Sequence, residues 1–92
     1  MIEKLSENMY EVNGMMRLDE LSEVLDVTIE DDDVDTIGGF IIKQLGRFAE
    51  LNDKVLFQNI EFVVKGISKT RVTKLKVTVT PILEEPENEK QD

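Results

Sequence analysis

No cysteine and no histidine occur in the chain. The first absence removes disulfides and any cysteine-bound zinc as sources of stability. The second removes the usual general base, the usual transition-metal ligand and every Ser-His or Cys-His nucleophile. Only carboxylate, lysine or hydroxyl chemistry remains. Long apolar runs are also missing: Lys43 interrupts the longest one, which falls well short of the roughly 18 residues a membrane span requires. Direct membrane insertion by this segment is therefore not expected. Glu3, Lys4 and Glu7 at the N-terminus do not resemble a secretion signal. The expectation is a soluble chain, compatible with a reducing cytoplasm.

What is present is charge, unevenly placed. Of the formal −9, residues 1–35 carry 12 acids and 2 bases, residues 36–80 carry 3 acids and 8 bases, and residues 81–92 carry 5 acids and 1 base. The chain is electrically segmented, so any self-association through opposite charges is expected to weaken with salt. A domain this acidic is a poor candidate for phosphate-backbone binding, which depends on lysine and arginine displacing counterions. No nucleic-acid partner is expected.

At 92 residues the chain is long enough for one modest core. Residues 1–8 are polar apart from Ile2 and Leu5 and read as a linker or frayed lead-in. Residues 9–12 are expected as a short strand, Asn13-Gly14 as a tight hairpin turn and Met15-Met16 as the return strand. From 18 to 25, Leu18, Leu21, Val24 and Leu25 form one helical face, with Asp19 and Glu20 suited to the positive end of the helix dipole. Arg17 is a poor cap for it. Strands are expected at 54–57, 60–67 and 72–80, with turns at Gln58-Asn59 and 68–71 and a stop at Pro81. Residues 82–92 have the composition of an acidic disordered tail. The order of elements gives an α+β domain over 9–81, with two helices on one face of an antiparallel sheet.

The stretch 35–47 organises the rest. Thr36 is placed to cap a helix and Gly46 to close it in the left-handed conformation. Between them Ile37, Phe40, Ile41 and Leu45 recur at three and four residues and must be buried. Ile42, off that stripe, marks a second contact within the fold or between subunits. Gly38-Gly39 in the first turn weaken the helix by about 1 kcal/mol each relative to alanine, so something must press closely there. The bare amides of Gly38 and Gly39 at a helix start, beside the capping Thr36, suit a phosphate or carboxylate, which makes Thr36, Gly38 and Gly39 the candidate cofactor-binding residues. Close packing of the glycines against the sheet is the simpler account, because neither a GxGxxG pattern nor a Walker lysine is present and acids lie just upstream.

Those acids invite a metal test. Asp31, Asp33 and Asp35 match the first three ligand positions of a calcium-binding EF-hand loop. The glycine expected at the sixth position is Thr36 and the glutamate expected at the twelfth is Ile42, so the motif fails. What is left is adventitious divalent-cation binding at Asp31, Asp33 and Asp35, or a solvated acidic loop that the following helix N-terminus favours. The bases Lys65, Lys69, Arg71, Lys74 and Lys76 either dock an acidic partner, such as the N-terminal part of another copy, or face solvent and protect strand edges. Met9, Met15 and Met16 fill the core or form an adaptable surface.

Leu18-Asp19-Glu20-Leu21, Asp35-Thr36-Ile37-Gly38-Gly39, Leu45-Gly46-Arg47, Asp53 and the strands through Arg71-Val72 and Val77 resemble the transporter-associated domain of the CorC/HlyC family. The resemblance covers roughly residues 9–80. Ala49, Asn52 and Ser68-Lys69 depart from the family's usual proline, glycine and Asp-Gly, all within connectors. The resemblance implies a non-enzymatic cytoplasmic C-terminal module that modulates cation transport by a magnesium/cobalt-efflux or hemolysin-related bacterial membrane protein. Its partners would be that protein's CBS pair and membrane domains, with a homodimer also in view, at the cytoplasmic face of the inner membrane. The fold is grouped with FAD-binding domains, which makes a sensor of FAD or an adenine nucleotide the second reading, on analogy alone.

Overall fold

Five strands and two helices follow one another in the computed structural model, which describes residues 2–80. Strands β1 (Ile2–Ser6) and β2 (Met9–Asn13) precede helices α1 (Leu18–Leu25) and α2 (Ile37–Leu45); β3 (Lys54–Phe57), β4 (Ile60–Ser68) and β5 (Arg71–Val79) close the order. The strands form one sheet, β1-β2-β5-β4-β3, antiparallel at every pairing. This is the α+β architecture expected from the order of elements. The expected stop at Pro81 and tail at 82–92 lie outside the described residues.

Strand alternation decides which face is covered. Cross-strand partners share a face, so Val12 with Leu75, Val77 with Phe62 and Phe62 with Val55 form one continuous apolar surface across four strands. Leu18, Leu21 and Leu25 of α1 and Ile37, Phe40 and Ile41 of α2 join the same buried cluster. Every side chain buried among the described residues is apolar. The opposite face carries Glu11, Lys54, Glu61, Lys65, Lys74 and Lys76, with Lys74 to Glu11 at 3.2 Å and Lys54 to Glu61 at 3.9 Å. Lys65, Lys74 and Lys76 are thus on the uncovered face, while Lys69 and Arg71 sit at the β4–β5 turn.

Two expectations for the N-terminal region are corrected. Residues 2–6, read as linker, form the edge strand β1, paired with β2 from Ile2 opposite Val12 onward. Their polarity reflects an edge position, where only Ile2 is drawn toward the core. Asn13-Gly14 is not a hairpin turn, and Met15-Met16 is not a return strand. Neither Asn13 nor Gly14 has a positive φ. β2 instead pairs with β5, and after Asn13 the chain turns toward the helices through Asn13 O, which accepts from Met16 N at 3.0 Å. Gly14 is required for a different reason: a Cβ there would fall on the carbonyl oxygen of Val72. Of the methionines, Met16 is buried and Met15 is exposed.

Local chemistry explains both helices. Thr36 Oγ1 accepts from Gly39 N at 3.3 Å, and Gly46 closes α2 at φ 74. The weak cap Arg17 is supplemented by Glu20, whose Oε1 accepts from Arg17 N at 3.3 Å, half of a capping box. Asp26 ends α1 in the left-handed region. Ile42 is half-buried against the core, so the second contact it marks includes one inside the fold.

Candidate functional site

Helix α2 enters the sheet where residues 14–18 and 35–38 run side by side. Leu18 N donates to Asp35 O at 2.8 Å, Ile37 N to Met16 O at 2.9 Å and Gly38 N to Gly14 O at 2.8 Å. A Cβ on Gly38 would lie 2.8 Å from Gly14 O and 3.1 Å from Val72 O. The crossing of three backbones therefore needs hydrogen at both Gly14 and Gly38. Gly39 differs, since its nearest neighbours are the side chains of Thr36 and Val34. The close approach expected of the pair belongs to Gly38.

The same bonds bear on the anion reading. A helix head attracts phosphate through amides without partners. Here Ile37 N and Gly38 N are taken by Met16 O and Gly14 O, Gly39 N by Thr36 Oγ1 and Phe40 N by Thr36 O at 3.0 Å. Thr36, Gly38 and Gly39 do come together in one turn, but as a structural joint in which the amides of Gly38 and Gly39 are already engaged.

The acidic loop between the helices is also tied down. Ser22 Oγ donates to Leu18 O at 2.7 Å and accepts from Ile29 N at 2.9 Å, folding the loop back along α1, and Ile29 is buried. At its far end the Lys43 ammonium donates to Asp31 Oδ1 at 2.8 Å and Asp33 Oδ2 at 2.7 Å. Asp31 Oδ1 also accepts from Asp33 N at 2.8 Å. A lysine thus occupies the position between Asp31 and Asp33 where a bound cation would sit. Asp35 serves through its backbone, and among the described residues no group of three or more carboxylates is placed to hold a metal ion.

The Lys43 hydrogen bond and then the Asp33 amide hold the Asp31 carboxyl below the usual value, while the two aspartates raise the Lys43 ammonium. A carboxyl whose pKa is lowered on folding contributes stability above its unfolded pKa of about 4, lost as pH falls through the folded value. Lys43→Met keeps the aliphatic stem and removes the charge. The melting difference between the original chain and this variant is expected to stay constant from about pH 5 to 8 and to shrink below about pH 4. With its internal cation gone, the variant is also expected to respond more to millimolar Mg2+ or Mn2+ than the original chain does. Thermal melts across pH and metal concentration check both outcomes. An undiminished difference at low pH would remove Asp31 from the account.

A second clasp closes the α2–β3 connector. Arg47 Nη1 and Nη2 donate to Asp53 Oδ2 and Oδ1 at 2.9 and 3.0 Å, and Asp53 Oδ2 also accepts from Glu50 N at 2.7 Å. Arg47 is the main cause holding the Asp53 carboxyl low. Asn52 takes the left-handed conformation at φ 72. Lys43, Ser22 and Ile29 were not singled out as site residues by sequence. Lys43, seven residues after Thr36, offered one faint signal: the only base inside α2, placed where the helix could meet a preceding acidic loop.

Two open clefts of opposite character flank these joints. One, about 410 Å³, lies between α1 and the loop that leaves it and is lined by Asp19, Glu20, Glu23 and Glu30 around Val27 and Ile29. The other, about 470 Å³, lies at the β4–β5 turn among Ser68, Lys69, Thr70 and Arg71, with Asn13 and Met15. Among the described residues no helix is long and apolar enough to cross a membrane.

Comparison with known proteins places this geometry. The magnesium and cobalt efflux protein CorC of Pasteurella multocida is 28% identical over 79 residues, covering 86% of this chain and 26% of that protein. Hemolysin C of Brachyspira hyodysenteriae is 36% identical over 70 residues, covering 74% of this chain and 26% of that protein. This chain spans about a quarter of the length of these relatives. A hemolysin domain from Enterococcus faecalis V583 superposes with a TM-score of 0.80 at 29% identity, over 87% of this chain and 98% of that one. The profile described as the transporter associated domain, CorC_HlyC, matches residues 3–81, β1 included, and the chain belongs to that family.

Proposed function

We propose that this chain is a non-enzymatic regulatory module of a larger cation-transporting membrane protein of the magnesium and cobalt efflux type. It acts by contact with that protein's other domains, a CBS pair among them, on the cytoplasmic side. One observation carries the reading: the polar groups best suited to hold a ligand, the α2 amides and the Asp31 and Asp33 carboxylates, are already engaged in joining the chain to itself. The exposed clefts, one acidic and one basic, supply surfaces for neighbours of complementary charge. Relatives named for magnesium and cobalt efflux support the choice of cargo.

Sensing of FAD or an adenine nucleotide is the rival reading, and the two separate by thermal shift. A ligand at 100 times its dissociation constant stabilises the native state by about 2.7 kcal/mol, which raises the melting temperature of a domain this small by more than about 10 °C. The regulatory reading expects no such rise with FAD, ATP, ADP or AMP. It also expects that deleting residues 3–81 from the full-length protein alters metal efflux from cells while the protein still reaches the membrane. A saturable rise with any of the four ligands, or unaltered efflux, overturns it.

A further inference from the structure

Three of the largest exposed apolar side chains lie within nine residues of one another in the chain: Phe48 at 64% exposure, Leu51 at 60% and Leu56 at 73%. Phe48 and Leu51 belong to the connector that leads into β3, and Leu56 to β3 itself, the last strand of the sheet. Scattered exposed leucines need no explanation, whereas three such side chains in one short connector and the edge strand it enters do. Nor is this cluster carried on a loose loop. The bidentate Arg47–Asp53 pair, the Asp53 carboxylate on Glu50 N and the bond from Asn52 N to Val64 O at 2.8 Å hold the connector in one shape. A surface fixed beforehand loses little entropy when it is covered.

The backbone beside it is open in register. Val64 N donates to Asp53 O at 2.9 Å, and Val55 and Phe57 face Phe62 and Ile60 across the β3–β4 ladder. Antiparallel alternation then turns the amides and carbonyls of Lys54 and Leu56 away from β4, toward the free edge. At the opposite edge, β1 has a register shift between Lys4 and Ser6 and carries Glu3 and Lys4, features that discourage strand addition. Charge favours the β3 edge as well. Residues 47–57 hold Arg47 and Lys54 against Glu50 and Asp53, a formal zero in a chain of −9. A second copy of the same acidic chain meets the least repulsion there.

We propose that the β3 edge is a self-association surface, where a second copy of this chain adds its own β3 antiparallel about a twofold axis at Val55. In that register Lys54 lies opposite Leu56 of the second copy and Leu56 opposite its Lys54, so no two lysines face each other. The β3 edge of each copy is used up and the contact closes as a pair. Four residues of strand and three apolar side chains place the contact at the small end of interfaces, below about 1,200 Å², so the pairing is weak and concentration-dependent.

Sedimentation equilibrium of the chain from about 10 μM to 1 mM, at low salt and at about 0.5 M, tests this. The dimer fraction is expected to rise with concentration and to rise further with salt, because screening relieves repulsion between two chains of like charge while leaving an apolar contact intact. Docking of oppositely charged segments predicts the reverse salt response. Leu56→Lys is expected to weaken pairing at least tenfold with little change in melting temperature, whereas Leu5→Lys on the β1 edge leaves pairing unchanged. A monomer throughout the range, dissociation by salt, or a Leu56→Lys chain that pairs as well as the original each overturns the proposal. The first of these would assign the patch to a different protein surface.

Discussion

Gly14→Ala is expected to lower the melting temperature by at least about 12 °C, taking a cost near 3 kcal/mol and about 4–8 °C per kcal/mol for a domain of this size. Extra methylenes in a packed interior commonly cost about 1–3 kcal/mol because neighbouring side chains shift to accept them. At Gly14 the obstacle is not a side chain. The added carbon would fall on the Val72 carbonyl, and Val72 belongs to β5, which pairs with β2 on one side and β4 on the other. Moving that carbonyl disturbs the strand that both halves of the sheet share, and moving Gly14 breaks its own bond to Thr73 O at 3.0 Å. Gly38→Ala meets Gly14 O and Val72 O from the other side and is expected to cost nearly as much. Gly39→Ala provides the contrast. Its nearest neighbours, at 3.3 and 3.4 Å, are side-chain atoms of Thr36 and Val34, and alanine favours helix over glycine by about 1 kcal/mol. That variant is expected to melt no lower than the original. Calorimetry of the three chains decides the matter; a Gly39→Ala chain as unstable as Gly14→Ala would remove the backbone crossing as the cause.

The glycines also show how far residue patterns alone reach. The caps at Thr36 and Gly46, the stripe of Ile37, Phe40 and Ile41, and the strands near 54–57, 60–67 and 72–80 were all readable, because each depends on neighbours within a few residues. Gly14 was misread because Asn13-Gly14 is a strong local hairpin signal. What overrode it was β5, about sixty residues away, claiming β2 as a partner. The same distance hid β1, whose polar composition becomes a strand only once β2 has been fixed in place. Within the candidate site, Asp31 and Asp33 were legible as a cluster, but Lys43, which neutralises them, follows by ten residues or more across a helix and no motif joins the three. The two clasps share a logic: Lys43 on Asp31 and Asp33, and Arg47 on Asp53, each fasten a connector to an end of α2. Helix α2 is consequently fixed at its head by backbone, along its length by the apolar core and at its tail by ion pairs.

Phe40 is the side chain that joins this helix to the strand at the sheet's free edge. Its ring lies 5.3 Å from that of Phe57 at 89°, an edge-to-face pair, and only 1% of it is exposed. Truncating a buried phenylalanine to alanine costs about 3–5 kcal/mol, a large share of the roughly 5–14 kcal/mol a domain of this length has in total. Phe40→Ala is therefore expected to leave the chain only marginally folded. Its effect should also be uneven, because β3 is four residues long, paired on one side only, and depends on Phe57 and Val55 for its apolar contacts. Hydrogen exchange is expected to quicken at the β3 amides that face β4, those of Val55 and Phe57, before it quickens at β5. Phe40→Leu, which refills most of the volume but loses the ring pair, is expected to cost about 0.5–1.5 kcal/mol and to spare that order. If β3 and β5 amides instead accelerate together in Phe40→Ala, the domain opens as a single unit and α2 holds the edge strand no more selectively than the centre. If β3 opens first, the edge proposed for self-association is a separately adjustable part of the fold, and the packing of α2 sets how often it is available.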